Sequence, residues 1–266
     1  MSGTFSPKVA IVTGGGSGIG AAVAKELAAT AGTRVIVADL SLEKAQATAT
    51  EIGALAEAVQ LDVVDSDQVD VLVKRVKATY GSLDLMFNSA GVSCYGEILK
   101  LTYGDWQRIL KVNLFGVIAG SIAAYAVMAE QGYGHIINMG SMAAFLHDPL
   151  FAPYVTSKCG VVGFSRALAC EAEGHGVVVS VVCPGNVRTP MLNDCEPSRF
   201  TPPISPQDAA RRILDAASKK RMFVVFPFYA RLIWWLDRLS PKLLIPIRRE
   251  ILRRARQRDQ HLSGNH

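Results

Sequence analysis

Short apolar runs punctuate the chain, and polar, helix-compatible segments separate them. The runs are KVAIVT, RVIVAD, EAVQLD, LDLMFN, HIINMGS, VVVSVVC and MFVVF. They are short, rich in Val and Ile, and lack clean alternation. Strands buried on both faces read this way, whereas a half-solvated strand alternates. Helix-compatible stretches lie at 18–31, 42–53, 66–80, 105–131, 154–173 and 206–219. Strand and helix in alternation predict a parallel sheet with right-handed crossovers and helices on both faces. Seven strands predict an α/β, doubly wound sheet. No repeat or low-complexity linker interrupts the pattern. The chain therefore reads as one domain, 1–226, followed by a helical extension, 227–266.

Half of the 266 residues are hydrophobic and 19% are charged, which suits a globular chain with a deep core. The five cysteines, Cys94, Cys159, Cys170, Cys183 and Cys195, are odd in number and show no CxxC spacing. They predict free thiols in a reducing, cytoplasmic setting. No secretory signal is visible in MSGTFSPK. His135, His147 and His175 lack ligand spacing, so no metal is expected. The net charge of +5 is uneven. Residues 219–258 carry twelve Lys/Arg against Asp237 and Glu250, while residues 1–218 are net negative. The pI is thus set by the tail.

The first candidate chemistry is TGGGSGIG, residues 13–20, directly after the first strand and opening the first helix. Glycines permit a tight turn and close approach, and a helix N-terminus offers unpaired N–H groups to a pyrophosphate. A plain flexible turn is the bland alternative. Asp39 ends the second strand, where a carboxylate can hold a ribose 2′-hydroxyl and repel a 2′-phosphate. Leu40 and Ser41 follow, without an arginine, so NAD is expected rather than NADP. Asp39 could instead cap the next helix, although Ser41 is also placed to do so.

A second candidate is YVTSK. Tyr154 and Lys158 are four residues apart and share one face of a helix. Spacing alone usually marks an amphipathic edge. Several motifs in order change that reading. Thr13 with Gly14, Gly18 and Gly20, NSAG at 88–91, Asn113 in KVNLFG, Ser141 in NMGSMAA, Tyr154 and Lys158, then CPGNVRTPM together resemble the short-chain dehydrogenase/reductase family. Ser89 departs mildly from that family's usual Asn-Asn-Ala-Gly. The likeness runs over roughly 8–226. It implies a Rossmann-type fold and a catalytic set of Asn113, Ser141, Tyr154 and Lys158. It places a dinucleotide against Gly14, Ser17, Gly18, Ile19, Gly20, Asp39, Asp62, Val63, Asn88, Ala90, Gly91, Tyr154, Lys158, Pro184, Gly185, Val187 and Thr189. Within that set, Asp62 and Val63 would meet adenine, with helix capping as the alternative for Asp62. The resemblance also implies a homodimer or homotetramer paired through 105–131 and 154–173.

Oxidising a secondary alcohol removes a hydride and a proton. A free tyrosine, with a pKa of about 10, is a poor base near neutrality, and a neighbouring ammonium lowers it. Lys158 is expected to do this for Tyr154, with Ser141 holding the substrate oxygen. By resemblance, Asn113 supports a water-linked proton route to Lys158.

PMLNDCEPSRFTPPIS, 190–205, reads as a loop over the cleft. Met142, Phe145, Leu146, Leu150, Phe151 and Met191 are candidate walls. Their apolarity predicts an uncharged, lipophilic alcohol or ketone such as a sterol, retinoid-like or long-chain compound. Alternatives are an NADPH-dependent reductase of 3-oxoacyl or polyketide intermediates and a non-catalytic nucleotide-sensing scaffold.

A wheel over 228–239 clusters Tyr229, Leu232, Ile233, Leu236 and Leu239, with Arg231 and Arg238 opposite and Trp234 and Trp235 between. Charges and Pro241 and Pro246 interrupt the tail, so it is too short to span a bilayer. Arg248, Arg249, Arg253, Arg254, Arg256 and Arg258 follow. Three readings stay open for 228–258: peripheral attachment to a membrane surface, packing on the enzyme's own cleft or a sister subunit, and nucleic-acid contact. The last lacks any base-reading module, so no nucleic-acid partner is expected.

Overall fold

The seven apolar runs pair as seven parallel strands: β1 (Val9–Thr13), β2 (Arg34–Asp39), β3 (Ala56–Gln60), β4 (Leu85–Asn88), β5 (Gly134–Met139), β6 (Val177–Pro184) and β7 (Phe223–Phe226). The sheet order is β3-β2-β1-β4-β5-β6-β7. The computed structural model describes residues 6–192, 202–250 and 252–253. Cys195 and Pro197 of the proline-rich segment, and Arg254, Arg256 and Arg258 of the tail, lie outside the described residues.

Alternate side chains of each strand enter different layers. Ala10 and Val12 pack with Val23 and Leu27 of α1 (Gly18–Ala31), Ala45 of α2 (Leu42–Ile52) and Ile213 of α8 (Pro206–Ser218). Val9 and Ile11 pack with Val73 and Val76 of α3 (Ser66–Tyr80), Ala124 and Met128 of α5 (Gly116–Gln131) and Leu168 of α7 (Ala152–Ala172). Phe87, Ile11 and Ile36 are fully buried, each contributing about 1.5–3 kcal/mol of burial. Side chains cap the helices where short polar residues precede them. Ser41 accepts from the Lys44 N–H at 3.3 Å, and Asp65 from those of Asp67 and Gln68, both at 3.1 Å. Neither Asp39 nor Asp62 is a cap. Asp62 instead accepts from Val64 N–H two residues on, at 2.9 Å.

The stretch expected as one helix, 105–131, is interrupted. α4 (Tyr103–Leu110) and α5 flank a π-helical turn, Lys111–Phe115, closed by the Gly116 N–H on the Lys111 carbonyl. Gly160 of α7 lies against Leu114 of this turn. The composite helix is long and apolar enough to cross a bilayer, with mean hydropathy 1.8, but half of that window is buried in the fold.

Beyond β7, α9 (Phe228–Leu239) lies on the body. Ala230, Tyr229, Ile233 and Leu236 pack with Met142 and with Leu146 of α6 (Ala143–Leu146), and Leu244 joins them. The face drawn by the wheel is therefore split, since Leu232 and Leu239 point outward. Arg248 clamps this layer. It donates to the carbonyls of Leu146 at 2.6 Å and Phe145 at 3.3 Å, to His147 Nδ1 at 3.0 Å and to Asp237 Oδ1 at 2.9 Å. Arg248 thus serves the fold, and Arg253 pairs with Glu250 at 2.8 Å.

Two buried groups make opposite contributions to pH-dependent stability. Burial pushes Asp148, after α6, up from the usual 3.8 to about 6, partly opposed by Arg248, and its Oδ1 has no hydrogen-bond partner. Burial, with Lys220 assisting, pushes His135 down from 6.5 to about 4. The Asp148 contribution is present below pH 4 and is lost as pH rises through 6. The His135 contribution is present above 6.5 and is lost as pH falls through 4. Asp148→Asn should remove the first alone. Relative to the parent, its unfolding free energy should rise between pH 4 and 7 by an amount on the order of 1–2 kcal/mol, read from urea midpoints. A difference that is flat with pH would refute the Asp148 assignment.

Candidate active site

The parallel ladder brings Thr13, Asp39, Asn88, Met139 and Pro184 to one edge of the sheet. Strand order reverses between β1 and β4, so the loops leaving these strands part and open a crevice. Thr13 Oγ1 ties the two lips together, accepting from Ser89 N–H at 3.1 Å and Ala90 N–H at 3.3 Å. Gly14 has φ +65°, and a Cβ there would sit 2.7 Å from Ala90 Cα. A side chain on Gly20 would collide with the Gly14 carbonyl. Ser17 precedes α1 in extended conformation, and the first turn holds no acid. The N–H groups of Gly18 and Ile19 are thus at the crevice with the positive end of the helix, as an anion requires.

Asp39 is fixed by backbone. Its Oδ2 accepts from Gly16 N–H at 2.9 Å and its Oδ1 from Ser41 N–H at 3.0 Å. A carboxylate has further lone pairs for a ribose diol. Lys44 stands at the same corner: a Cβ on Gly16 would lie 2.6 Å from Lys44 Cβ. Thr189 closes over Gly18, and Gly91 lies between Asn113 Oδ1 and Met191 Cε. Gly185 donates to the Phe226 carbonyl at 2.7 Å and lies under the Tyr229 phenol, which accepts from Asn186 N–H at 3.2 Å. These residues fit a dinucleotide lying across the crevice.

Three of the expected residues turn their side chains into the protein. Asn88 is buried, donating to Ser121 at 3.2 Å and to Asn138 at 2.8 Å, so its amide belongs to the interior. Val63 packs under Gly116 within the core. Val187 is buried and bridges Ile204. Ile19 is half-buried against the core. Asp62 is half-buried at its turn.

Ser141, Tyr154, Lys158 and Asn113 converge beyond β5. Ser141 hydrogen-bonds the Tyr154 phenol. Burial pushes that phenol above its usual range, the Ser141 bond pulls it down, and the Cys183 thiol pushes it up. Lys158 is buried, donates to the Met139 carbonyl at 2.7 Å, and sits 5.6 Å from the Tyr154 ring centroid. Burial lowers its pKa to about 8. The expected downward pull of Lys158 therefore does not govern the phenol; burial does. Cys183, pushed up to about 12 by burial, neighbours both groups and was missed because a lone cysteine carries no motif. The Asn113 side chain is already committed: it donates to the Val92 carbonyl at 2.8 Å and to Ser157 at 3.2 Å, and accepts from Val92 N–H at 2.8 Å. The carboxamide of Asn113 is thus held by Val92 and Ser157 rather than aimed at Lys158.

The expected substrate walls divide. Met142 and Leu146 face α9, and Phe145 packs on Phe223 and Trp234, so these three serve the tail. Phe151 stays near the cleft against Tyr95, with ring centroids 5.2 Å apart. The Leu150 carbonyl accepts from Gly96 N–H at 2.9 Å, joining the two walls, and Met191 approaches Gly91.

The family model described as short chain dehydrogenase matches residues 8–199. The chain belongs to that family. It is an NAD(P)-dependent alcohol dehydrogenase or ketone reductase, which sets aside the non-catalytic scaffold. It is similar to the 3-oxoacyl-[acyl-carrier-protein] reductase FabG of Escherichia coli, 34% identical over 187 residues, covering 70% of this chain and 76% of that one. It is 40% identical over 185 residues to D-threitol dehydrogenase of Mycolicibacterium smegmatis, covering 68% and 71%. A short chain dehydrogenase/reductase from Burkholderia phymatum, solved in complex with NAD, superposes with a TM-score of 0.80 at 27% identity, covering 90% of this chain and 94% of the other. The family match ends before α9, so Tyr229 and Arg248 had no motif to announce them.

A Cβ on Gly185 would lie 2.6 Å from the Tyr229 oxygen. Gly185→Ala should cost about 1–3 kcal/mol through this overlap. Adding Tyr229→Phe should return at least about 0.5 kcal/mol, measured as a double-mutant cycle in urea. Strict additivity would show that the two groups do not touch.

Proposed function

We propose that this short-chain dehydrogenase uses NAD to interconvert a secondary alcohol and a ketone on an uncharged, lipophilic molecule, with Tyr154 as acid/base. The observation that carries this reading is the meeting of Ser141, the Tyr154 phenol and the buried Lys158 amine, with Lys158 Nζ 5.6 Å from the Tyr154 ring centroid. When bound, the oxidised nicotinamide accepts the hydride and adds positive charge beside the phenol. Tyr154 takes the hydroxyl proton in oxidation and returns one to the carbonyl oxygen in reduction. Ser141 holds that oxygen as charge develops. Lys158, near 8, can carry or release a proton close to neutrality. The Tyr95–Phe151 pair and Met191 support an apolar substrate.

The Asp39 carboxylate supports NAD over NADP, and the Burkholderia phymatum neighbour was solved with NAD. The likeness to 3-oxoacyl-[acyl-carrier-protein] reductases supports a second reading, reduction of a carrier-bound 3-oxoacyl thioester. A turnover screen of hydrophobic alcohols, ketones and 3-oxoacyl thioesters with both cofactors separates the two. Exposed Phe115 and Ile122 on the long helix support pairing of protomers there. The described cysteines are free thiols, in keeping with a reducing compartment.

Tyr154→Phe should lower kcat by about 10²–10⁴-fold while NAD affinity changes little, since it removes only the proton carrier. Near-normal turnover on the substrate found by the screen would overturn the assignment. Asp39→Ser should lose the preference for NAD, and adding Lys44→Ala should then weaken NADP. Unchanged selectivity in Asp39→Ser would refute the ribose argument.

A further inference from the structure

We propose that the outer face of α9 is a docking surface for an anionic lipid bilayer. The inner face of this helix is committed to α6 and β7. What remains outside is not polar. Phe228, Leu232, Trp235 and Leu239 are 78%, 50%, 59% and 80% exposed. At about 100° per residue these four positions fall within an arc of about 60°. They form one ridge about 16 Å long. Leu243, Ile245 and Ile247 continue the exposed apolar surface beyond the helix. Isolated exposed hydrophobics are ordinary, whereas a contiguous line of them marks an interaction site.

Charge selects the occupant. Arg231 and Arg238 are exposed along one flank of the ridge, and Lys242 and Arg249 are exposed just after it. Asp237, the only acid in α9, is turned inward and paired with Arg248 at 2.9 Å. The outer face therefore presents cations without a compensating anion from its own helix. A second copy docked ridge to ridge would bring two strongly basic tails together and meet repulsion. An anionic bilayer supplies the missing charge, takes Trp and Phe at its headgroup boundary, and receives a helix lying in its plane. The body, net negative over 1–218, would face away.

This proposal is independent of the substrate reading, because vesicle binding is measured without turnover. The full chain is sedimented with vesicles containing about 30% phosphatidylglycerol, with pure phosphatidylcholine vesicles, and with the anionic vesicles in about 0.5 M NaCl. Binding to the anionic vesicles should exceed the other two by about tenfold or more. Brominated lipid should quench the tryptophan emission, and Trp235→Phe should lose most of that quenching. Leu232→Glu and the pair Arg231→Glu/Arg238→Glu should each weaken vesicle binding about tenfold with unchanged circular dichroism. Equal binding by these variants, or no quenching in the parent, overturns the proposal. A variant that changes oligomeric state by light scattering while vesicle binding is unaltered assigns the ridge to a second copy, and also overturns it.

Discussion

Seven parallel strands place every carboxyl end on one edge of the sheet, and the site depends on that constraint. Parallel pairing needs crossover helices, so both sheet faces are covered and the loops at the strand ends are left for chemistry. Where strand order reverses, between β1 and β4, the hydroxyl of Thr13 holds two backbone N–H groups of the opposite lip. The crevice is thus a packing consequence before it is a binding site. Asp39, the start of α1 and Ser141 reach it by standing at strand ends. Tyr154 and Lys158 reach it because α7 packs back over β6.

Burial then sets the chemistry. A phenol and an amine taken out of water are both pushed toward their neutral forms, the phenol upward and the amine downward. Their pKa values therefore move apart, the phenol rising from its usual 10 and the amine falling to about 8. Near neutrality the phenol is neutral while the amine is still mostly protonated, with the Met139 carbonyl accepting from it. A cation entering the crevice tips this balance toward phenolate. The Ser141 hydrogen bond acts in the same direction, and so prepares the phenol without ionising it.

The strands were legible because burial on both faces writes uninterrupted Val and Ile runs, whereas the candidate site residues were read from the order of motifs that the family shares. Ser41 was legible as a cap from its place just before the second helix. The π turn was not, because one extra residue inside a helix leaves the apolar period almost unchanged over five positions. The inward aim of Asn88 and Val63 depends on partners from α5, far along the chain. Met142, Phe145 and Leu146 read as cleft walls from their place after Ser141. The tail that claims them has no family pattern to reveal it.

The tail is not an appendage of the site in mechanical terms. Its inner face grips α6, which starts two residues after Ser141, and its Tyr229 lies on Gly185, beyond β6. Arg248 binds the end of α6 to Asp237 in α9 itself. Close-packed layers transmit displacement rather than absorb it. One helix touches both the segment after Ser141 and the segment after β6. α9 has two apolar faces, one packed on the body and one exposed. A helix serving only the fold needs one, and a helix serving only a surface needs no clamp at Asp237.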